Sequence, residues 1–90
     1  MSGPAGGAWP AHLTKAASTY LAALSSTDQE LVRDALAIAS RSPYGWPPFQ
    51  PTDPDGVDVR VARVGVLDIV YWINRAASRL VVLDINRLPL

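Results

Sequence analysis

The sequence contains no cysteine and a single histidine, His12, so two common kinds of site are absent from it. Without thiols the chain has neither a disulfide framework nor a thiolate site, and one imidazole cannot build a histidine-rich metal site. No apolar run approaches the roughly 20 residues of a membrane-spanning helix, and the N-terminal segment lacks the pattern of a secretory signal. We therefore expect a cytoplasmic protein that uses neither metal nor cofactor and does not contact membranes.

The sequence also has no excess of positive or negative charge. Eight basic and eight acidic residues cancel, so no long-range field draws the molecule towards nucleic acid. Residues 57–90 nevertheless hold five arginines against three aspartates. Seven of the eight basic residues in the chain are arginine, which favours planar, bidentate contacts over simple charge. This local excess is too small to establish a phosphate site.

The chain has the length and composition of one small globular domain. Its 90 residues are 49% hydrophobic, which suits a modest core and excludes a disordered chain. Residues 1–8 are rich in glycine and proline and offer nothing to bury, so they are predicted to form a flexible tail. The domain itself is predicted to span residues 9–90.

Two helices are predicted in the first half of the domain. A stripe of apolar residues at helical spacing indicates the first helix and consists of Leu13, Ala17, Tyr20, Leu21 and Leu24. Residues 27–30 read Thr-Asp-Gln-Glu, the pattern of a capping box at the start of a second helix that ends near Arg41. The short link between them makes the two helices an antiparallel hairpin.

Three strands follow in residues 57–88. Val57, Val59 and Val61 alternate with other residues, which is the period of a strand with one buried face, and Gly65 permits a turn or bulge after it. The second strand, residues 67–73, places apolar side chains and Tyr71 on one face. Residues 74–78 form a hairpin loop, and residues 79–86 form a third strand. Such a sheet requires a cover, which the helical hairpin supplies.

The segment between helices and strands, residues 42–56, holds five of the eight prolines and three aromatic rings, Tyr44, Trp46 and Phe49. Proline excludes helix and central strand here, and residues 53–56 have the composition of a turn. In one interpretation the rings close the open end of the core. In the other they form a partner-binding surface, stacking on a base or receiving another chain.

The order and spacing of these elements resemble the RelE/ParE superfamily of bacterial toxins. The resemblance covers roughly residues 13–87 and is carried by a helix ending with Ala35, Leu36, Ala39 and Pro43, then by the sequences RVARVG (60–65), IVY (69–71) and LVVLDI (80–85). It implies an α+β fold in which an N-terminal helical hairpin packs on a three- or four-stranded antiparallel sheet. The family usually adds an N-terminal strand, a pattern that the residues before Leu13 do not show.

The resemblance also implies a function. It predicts the toxin component of a bacterial type II toxin–antitoxin pair that acts as a RelE-like, translation-dependent mRNA endonuclease, or mRNA interferase. Its partners would be a cognate antitoxin, the ribosome and mRNA. Arg60, Arg63 and Arg87 are the catalytic candidates, because clustered guanidinium groups stabilise the charge that develops as RNA is cleaved by its own 2′-hydroxyl.

A non-catalytic alternative stays open. The ribonucleases of the family often carry arginine where this chain has Asp68, which reverses the charge. In a regular strand Arg60 and Arg63 point to opposite faces, and all three candidate arginines are then ordinary strand residues paired with aspartates. The chain would in that case be a toxin-fold binding protein, either a gyrase-directed inhibitor of the ParE kind or a member that only holds its antitoxin.

The predicted partner-binding surface includes a sheet edge as well as the three aromatic rings. The strand at residues 79–86 carries a single charge between its ends and no proline, which indicates an unguarded sheet edge. An antitoxin segment is expected to dock on this edge beside Tyr44, Trp46 and Phe49. Formation of a homodimer through the same edge is the competing outcome.

Overall fold

A computed structural model describes residues 8–49 and 58–89, in which the chain forms two helices and four strands. In chain order they are β1 (Ala11–Leu13), α1 (Lys15–Ala22), α2 (Ser26–Arg41), β2 (Val59–Val64), β3 (Leu67–Asn74) and β4 (Arg79–Arg87). This arrangement confirms the predicted α+β class. Residues 1–7 of the predicted tail, the predicted turn at residues 53–56 and the strand position Val57 lie outside the described residues.

Both helices start at a hydroxyl side chain. Thr14 accepts a hydrogen bond from the Ala17 amide at the start of α1, and Ser25 accepts one from the Asp28 amide at the start of α2, each 3.1 Å long. The capping box predicted at residues 27–30 is therefore wrong, because Ser25 already satisfies a free amide and α2 begins before that segment. The predicted end of α2 at Arg41 is confirmed.

The N-terminal strand β1 exists, although its sequence shows no strand pattern. Residues 11–13 pair in parallel with residues 80–82 of β4, and the Leu80 amide donates to the Pro10 carbonyl at 2.9 Å. Leu13, predicted in the first helix, therefore lies in a strand together with His12. Three residues are too few to show alternation, and Leu13 happens to fit the helical stripe as well.

The described strands form one sheet in the order β1-β4-β3-β2, antiparallel except for the β1–β4 pair. The prediction that β4 is an edge strand is wrong along residues 80–82, because β1 covers them. A two-residue turn joins β2 to β3, and its first residue, Gly65, has a φ of 56°. That conformation suits glycine, as the sequence predicted.

The helices cover one face of the sheet. From β3 the covered face takes Leu67, Ile69, Tyr71 and Ile73, as predicted, and all four are buried. The other buried members of this core are Ala17, Val32, Ala35, Leu36, Ala39, Ala62, Leu80, Val82 and Ile85.

The predicted inward face of β2 is wrong. Val59 and Val61 lie opposite Trp72 and Val70 of β3, on the face away from the helices. The fully buried residue of β2 is Ala62, which lies opposite the buried Ile69. The prediction assigned the larger apolar residues of β2 to the buried face. It failed because the buried position of β2 carries a small side chain.

The face opposite the helices, called the open face below, is shaped by a bulge in β4. Val82 pairs with Tyr71 and Asp84 pairs with Val70, so Leu83 is an extra residue between them. Val82 and Ile85 are both buried against the helices, whereas Leu83 between them is exposed. The bulge thus turns one more apolar residue to the open face.

Candidate functional site

The three candidate arginines lie in three different places. Arg60 is opposite the buried Tyr71 in the β2–β3 register, and Arg63 is opposite Asp68, so the two arginines point to opposite faces as the sequence predicted. Arg87 lies opposite Leu67 at the far end of β4. The structure therefore does not gather these guanidinium groups around one point.

Arg60 holds the aromatic loop against the sheet. Its Nη1 donates to the Trp46 carbonyl at 3.0 Å and approaches the Tyr44 carbonyl at 3.5 Å. Its guanidinium carbon also lies 4.9 Å from the centroid of the Tyr44 ring, within the range of a cation–π interaction. These contacts give Arg60 a structural role on the loop.

Arg63 and Asp68 form a two-pronged ion pair on the open face. Nε and Nη2 of Arg63 donate to the two carboxylate oxygens of Asp68 at 2.7 and 3.0 Å. These hydrogen bonds, followed by the charge of Arg63, hold the pKa of the Asp68 carboxyl below its ordinary value. The aspartate thus occupies the fork with which this arginine would grip a phosphate.

Arg87 is joined to the start of helix α2. Its Nη1 donates to Oδ2 of Asp28 at 2.7 Å, and Asp28 lies in the first turn of the helix. The sequence-based interpretation paired the candidate arginines with aspartates, and the pair of Arg63 with Asp68 is found. Asp28 is 59 residues from Arg87 in the chain, so no local pattern reveals their contact.

The three aromatic residues of the loop have unequal surroundings. Trp46 packs against the core, whereas the side chains of Tyr44 and Phe49 are 43% and 50% exposed. The loop also covers the outer edge of β2: the Phe49 amide donates to the Val59 carbonyl at 2.8 Å, and the Val61 amide donates to the Pro47 carbonyl at 3.0 Å. The interpretation in which the rings close the core therefore fits Trp46. The interpretation in which they form a partner surface fits only the exposed rings, Tyr44 and Phe49.

A polar cluster at this end of the sheet was missed in the sequence. Oδ1 of Asp58 accepts hydrogen bonds from the Tyr44 hydroxyl at 2.7 Å and from Nε and Nη2 of Arg75 at 3.0 and 2.9 Å. The bond from Tyr44, then that from Arg75, lowers the pKa of Asp58. The β2–β3 register would have revealed the cluster, because the Ile73 amide donates to the Asp58 carbonyl and Arg75 follows two residues later.

Tyr71 and His12, two further side chains that can transfer protons, lie in different strands, β3 and β1. The Tyr71 ring is buried as predicted, and its hydroxyl donates to the Pro43 carbonyl at 2.6 Å. Burial raises the pKa of this tyrosine to about 12. His12 is an exposed residue of β1.

Two kinds of feature were also sought in the described part of the chain. No three histidine, cysteine or carboxylate side chains there lie close enough together to hold a metal ion. Neither described helix is both long and apolar enough to cross a membrane.

Comparison with known proteins gives a likeness in structure alone. No protein-family model and no curated protein sequence matches the chain. Among solved structures, the isolated RelE toxin of Escherichia coli matches with a TM-score of 0.79 and 16% identity over 92% of this chain and 87% of that chain. The RelBE toxin–antitoxin complex of the same organism gives 0.77 and 16% over 92% of this chain and 100% of that chain. A RelBE complex of Mycobacterium tuberculosis gives 0.73 and 21% over 88% and 96%.

The likeness extends over about nine tenths of this chain and over most or all of each matched chain. The fold predicted from the sequence is confirmed on this basis: the chain has the RelE-like toxin fold.

Proposed function

We propose that the protein is the toxin component of a bacterial toxin–antitoxin pair and that a cognate antitoxin binds it. The observation that supports this proposal is the match to the toxin chain of the Escherichia coli RelBE complex, which is covered over its full length. Matches to toxin–antitoxin complexes of Mycobacterium tuberculosis and Pyrococcus horikoshii point the same way. The likeness is one of fold, so the test has to address binding and toxicity directly.

For the mode of action we favour binding of a protein target over cleavage of RNA. An endonuclease has to hold its cationic groups around one scissile phosphate. Here Arg63 is paired with Asp68 and Arg87 with Asp28, at separate places on the domain. This proposal has two versions. In one the protein inhibits gyrase, and in the other it only binds its antitoxin.

RNA cleavage is the second candidate, and one arrangement favours it. Arg60 and Arg75 lie on the Tyr44 ring, with their guanidinium carbons 4.9 and 5.7 Å from its centroid. Two cations beside an exposed ring are the chemistry that holds a phosphate next to a stacked base. In this hypothesis the ribosome and mRNA are the partners, and Arg63, Arg75 and Arg87 have to leave their aspartates when RNA binds.

Induced expression distinguishes these modes. Growth arrest with cuts inside codons of messenger RNA supports the endonuclease, and arrest with broken chromosomes supports inhibition of gyrase. Absence of arrest supports a chain that only binds its antitoxin. In each case co-expression of the small protein encoded beside the gene should yield a stable complex, and failure to form one contradicts the toxin–antitoxin proposal.

Substitution of the candidate arginines tests the endonuclease directly. If RNA is cut, Arg63→Ala and Arg87→Ala should abolish cleavage with little change in the melting temperature, since exposed ion pairs contribute only about 0–1 kcal/mol. Asp68→Arg should raise the cleavage rate, because it adds a cation on the open face. Arg33→Ala, an exposed change on α2, is the matched control. Cleavage that survives both alanine variants ends the assignment of these residues.

A further inference from the structure

The open face carries an apolar patch across three neighbouring strands. The register places Val59, Trp72 and Val81 in one row. Val61 and Val70 form the next row, beside the bulged Leu83. We call these six residues the open-face patch. Trp72 and Leu83 are each 39% exposed.

Charged groups flank the patch, and most of them already have a hydrogen-bond or ion-pair partner within this chain. Arg63 and Asp68 form an ion pair with each other in the row beyond Val61. Oδ1 of Asp84 accepts from the Ile85 amide at 3.0 Å, and its Oδ2 accepts from the Asn86 side chain at 2.9 Å. The side chain of Arg79, in the row beyond Trp72, has no hydrogen bond or ion pair to any residue in the described ranges 8–49 and 58–89.

This distribution of charge excludes two occupants on physical grounds. A nucleic acid requires several cations against its phosphates, whereas the six patch residues are uncharged and Asp84, the neighbour of Val70 in its row, is acidic. A second copy of the chain would bring the same patch with another unpaired Arg79 and no unengaged carboxylate on this face to meet it. The complement of the surface is therefore apolar and carries negative charge at one end.

We propose that the open-face patch binds an amphipathic segment of the antitoxin, with apolar side chains against Trp72 and Leu83 and a carboxylate at Arg79. This inference rests on the proposed toxin–antitoxin function and names the surface and the chemistry of the contact. The two rows are about 7 Å apart and cross three strands spaced about 4.8 Å apart. A single helix about 10 Å wide can cover such a patch with side chains three and four residues apart.

Glutamate substitutions test the patch in the complex of the full chain with its antitoxin. Leu83→Glu and Trp72→Glu should each weaken binding by about 10-fold or more, because a charge then enters the apolar contact. Ile38→Glu is the matched control, since Ile38 is 52% exposed on α2, on the other side of the molecule from the open face, and should leave the affinity unchanged. Melting temperatures of the free variants show that each is folded.

Arg79→Glu supplies a variant that does not depend on the stability of the patch. Its side chain is exposed at the end of β4, and reversal of its charge should weaken the complex and invert the dependence of affinity on salt. Arg33→Glu makes the same charge change on α2 and should act much less. Equal effects of the two charge reversals would contradict the predicted carboxylate at Arg79.

Nuclear magnetic resonance locates the contact without any substitution. The chain has three tryptophans, and Trp9 and Trp46 pack against the core whereas Trp72 lies in the patch. Addition of the antitoxin should shift the indole N–H resonance of Trp72 far more than those of the other two.

The outcomes separate this inference from the proposed function. An antitoxin that binds the wild type and both patch variants equally overturns the patch and leaves the toxin–antitoxin proposal in place. A wild-type chain that binds no antitoxin overturns both. A wild-type homodimer that Leu83→Glu converts to a monomer, with no effect on antitoxin affinity, assigns the patch to a second copy and overturns the proposed occupant.

Discussion

The two faces of the sheet carry similar residue types but have different surroundings. In β4, Leu80 and Val82 are completely buried beneath the helices, and Leu83 is 39% exposed on the open face. The buried side chains of the covered face are apolar apart from the hydroxyl of Tyr71, while the open face mixes apolar residues with the Arg63–Asp68 pair. Burial on the covered face stabilises the fold, so its residues are constrained by packing. Trp72 and Leu83 on the open face are exposed instead, which makes them candidates for contact with a partner.

The largest expected effect compares two leucines of the same strand. Leu80→Ala should lower the free energy of unfolding by about 2–5 kcal/mol, because it removes a buried side chain and leaves a cavity. Leu83→Ala should cost less than about 1 kcal/mol, since that side chain is already partly in water. Denaturant titration of both variants provides the measurement. Equal losses would mean that the open face is covered in solution and would remove the contrast between the faces.

A smaller effect is expected at the hydroxyl of Tyr71 on the covered face. Tyr71→Phe removes the 2.6 Å hydrogen bond to the Pro43 carbonyl and keeps the ring. The loss should be about 1–3 kcal/mol, because a partly buried carbonyl loses its donor. Tyr44→Phe removes a more exposed hydroxyl from Asp58 and should cost less. A thermal denaturation series that ranks Tyr44→Phe as the more harmful change would contradict this order.

The smallest effect concerns acid stability, which should come from the open face and the loop end of the sheet. The pKa values of Asp58 and Asp68 are lowered by the groups that donate hydrogen bonds to them. These carboxyls therefore bind protons less readily in the folded protein than in the unfolded chain. Their contribution to the stability of the fold is complete at a pH above 3.8, the ordinary pKa of an aspartate. It is lost as the pH falls below that value and through the lowered folded pKa.

Asp68→Asn tests this contribution. The variant should show a shallower loss of stability below pH 4 than the wild type, with the two curves parallel at neutral pH. Ion pairs exposed on one side are weak, so the change should be about 1 kcal/mol or less. Denaturant midpoints measured across the acid range give the two curves. An unchanged acid limb would show that the Arg63–Asp68 pair does not hold in solution.

The sequence allowed the second half of the fold to be predicted better than the first. Alternation in residues 67–73 gave the buried face of β3 correctly, because the strand has eight residues and a clear period of two. The same reasoning failed for β2, in which valines lie on the open face and the small Ala62 is buried. It failed again for β1, since a three-residue strand has no measurable period.

The candidate site shows the same division. Local parity correctly separated Arg60 from Arg63, and the Arg63–Asp68 pair lies within one hairpin and could be anticipated. The contact of Arg87 with Asp28 and that of Asp58 with Tyr44 join segments far apart in the chain. Those contacts depend on how the helices and the loop pack on the sheet, which local patterns do not encode.

By itself the sequence determined the order of two helices before a set of strands, the central hairpin and the opposing directions of Arg60 and Arg63. Each of these follows from local periodicity or turn chemistry, since side chains alternate along a strand and Gly65 accepts a positive φ. Only the tertiary structure decided which face of the sheet the helices cover, where β1 pairs and which aspartate holds each arginine. These depend on contacts between segments distant in sequence, and among them is the choice that leaves Trp72 and Leu83 on the open face.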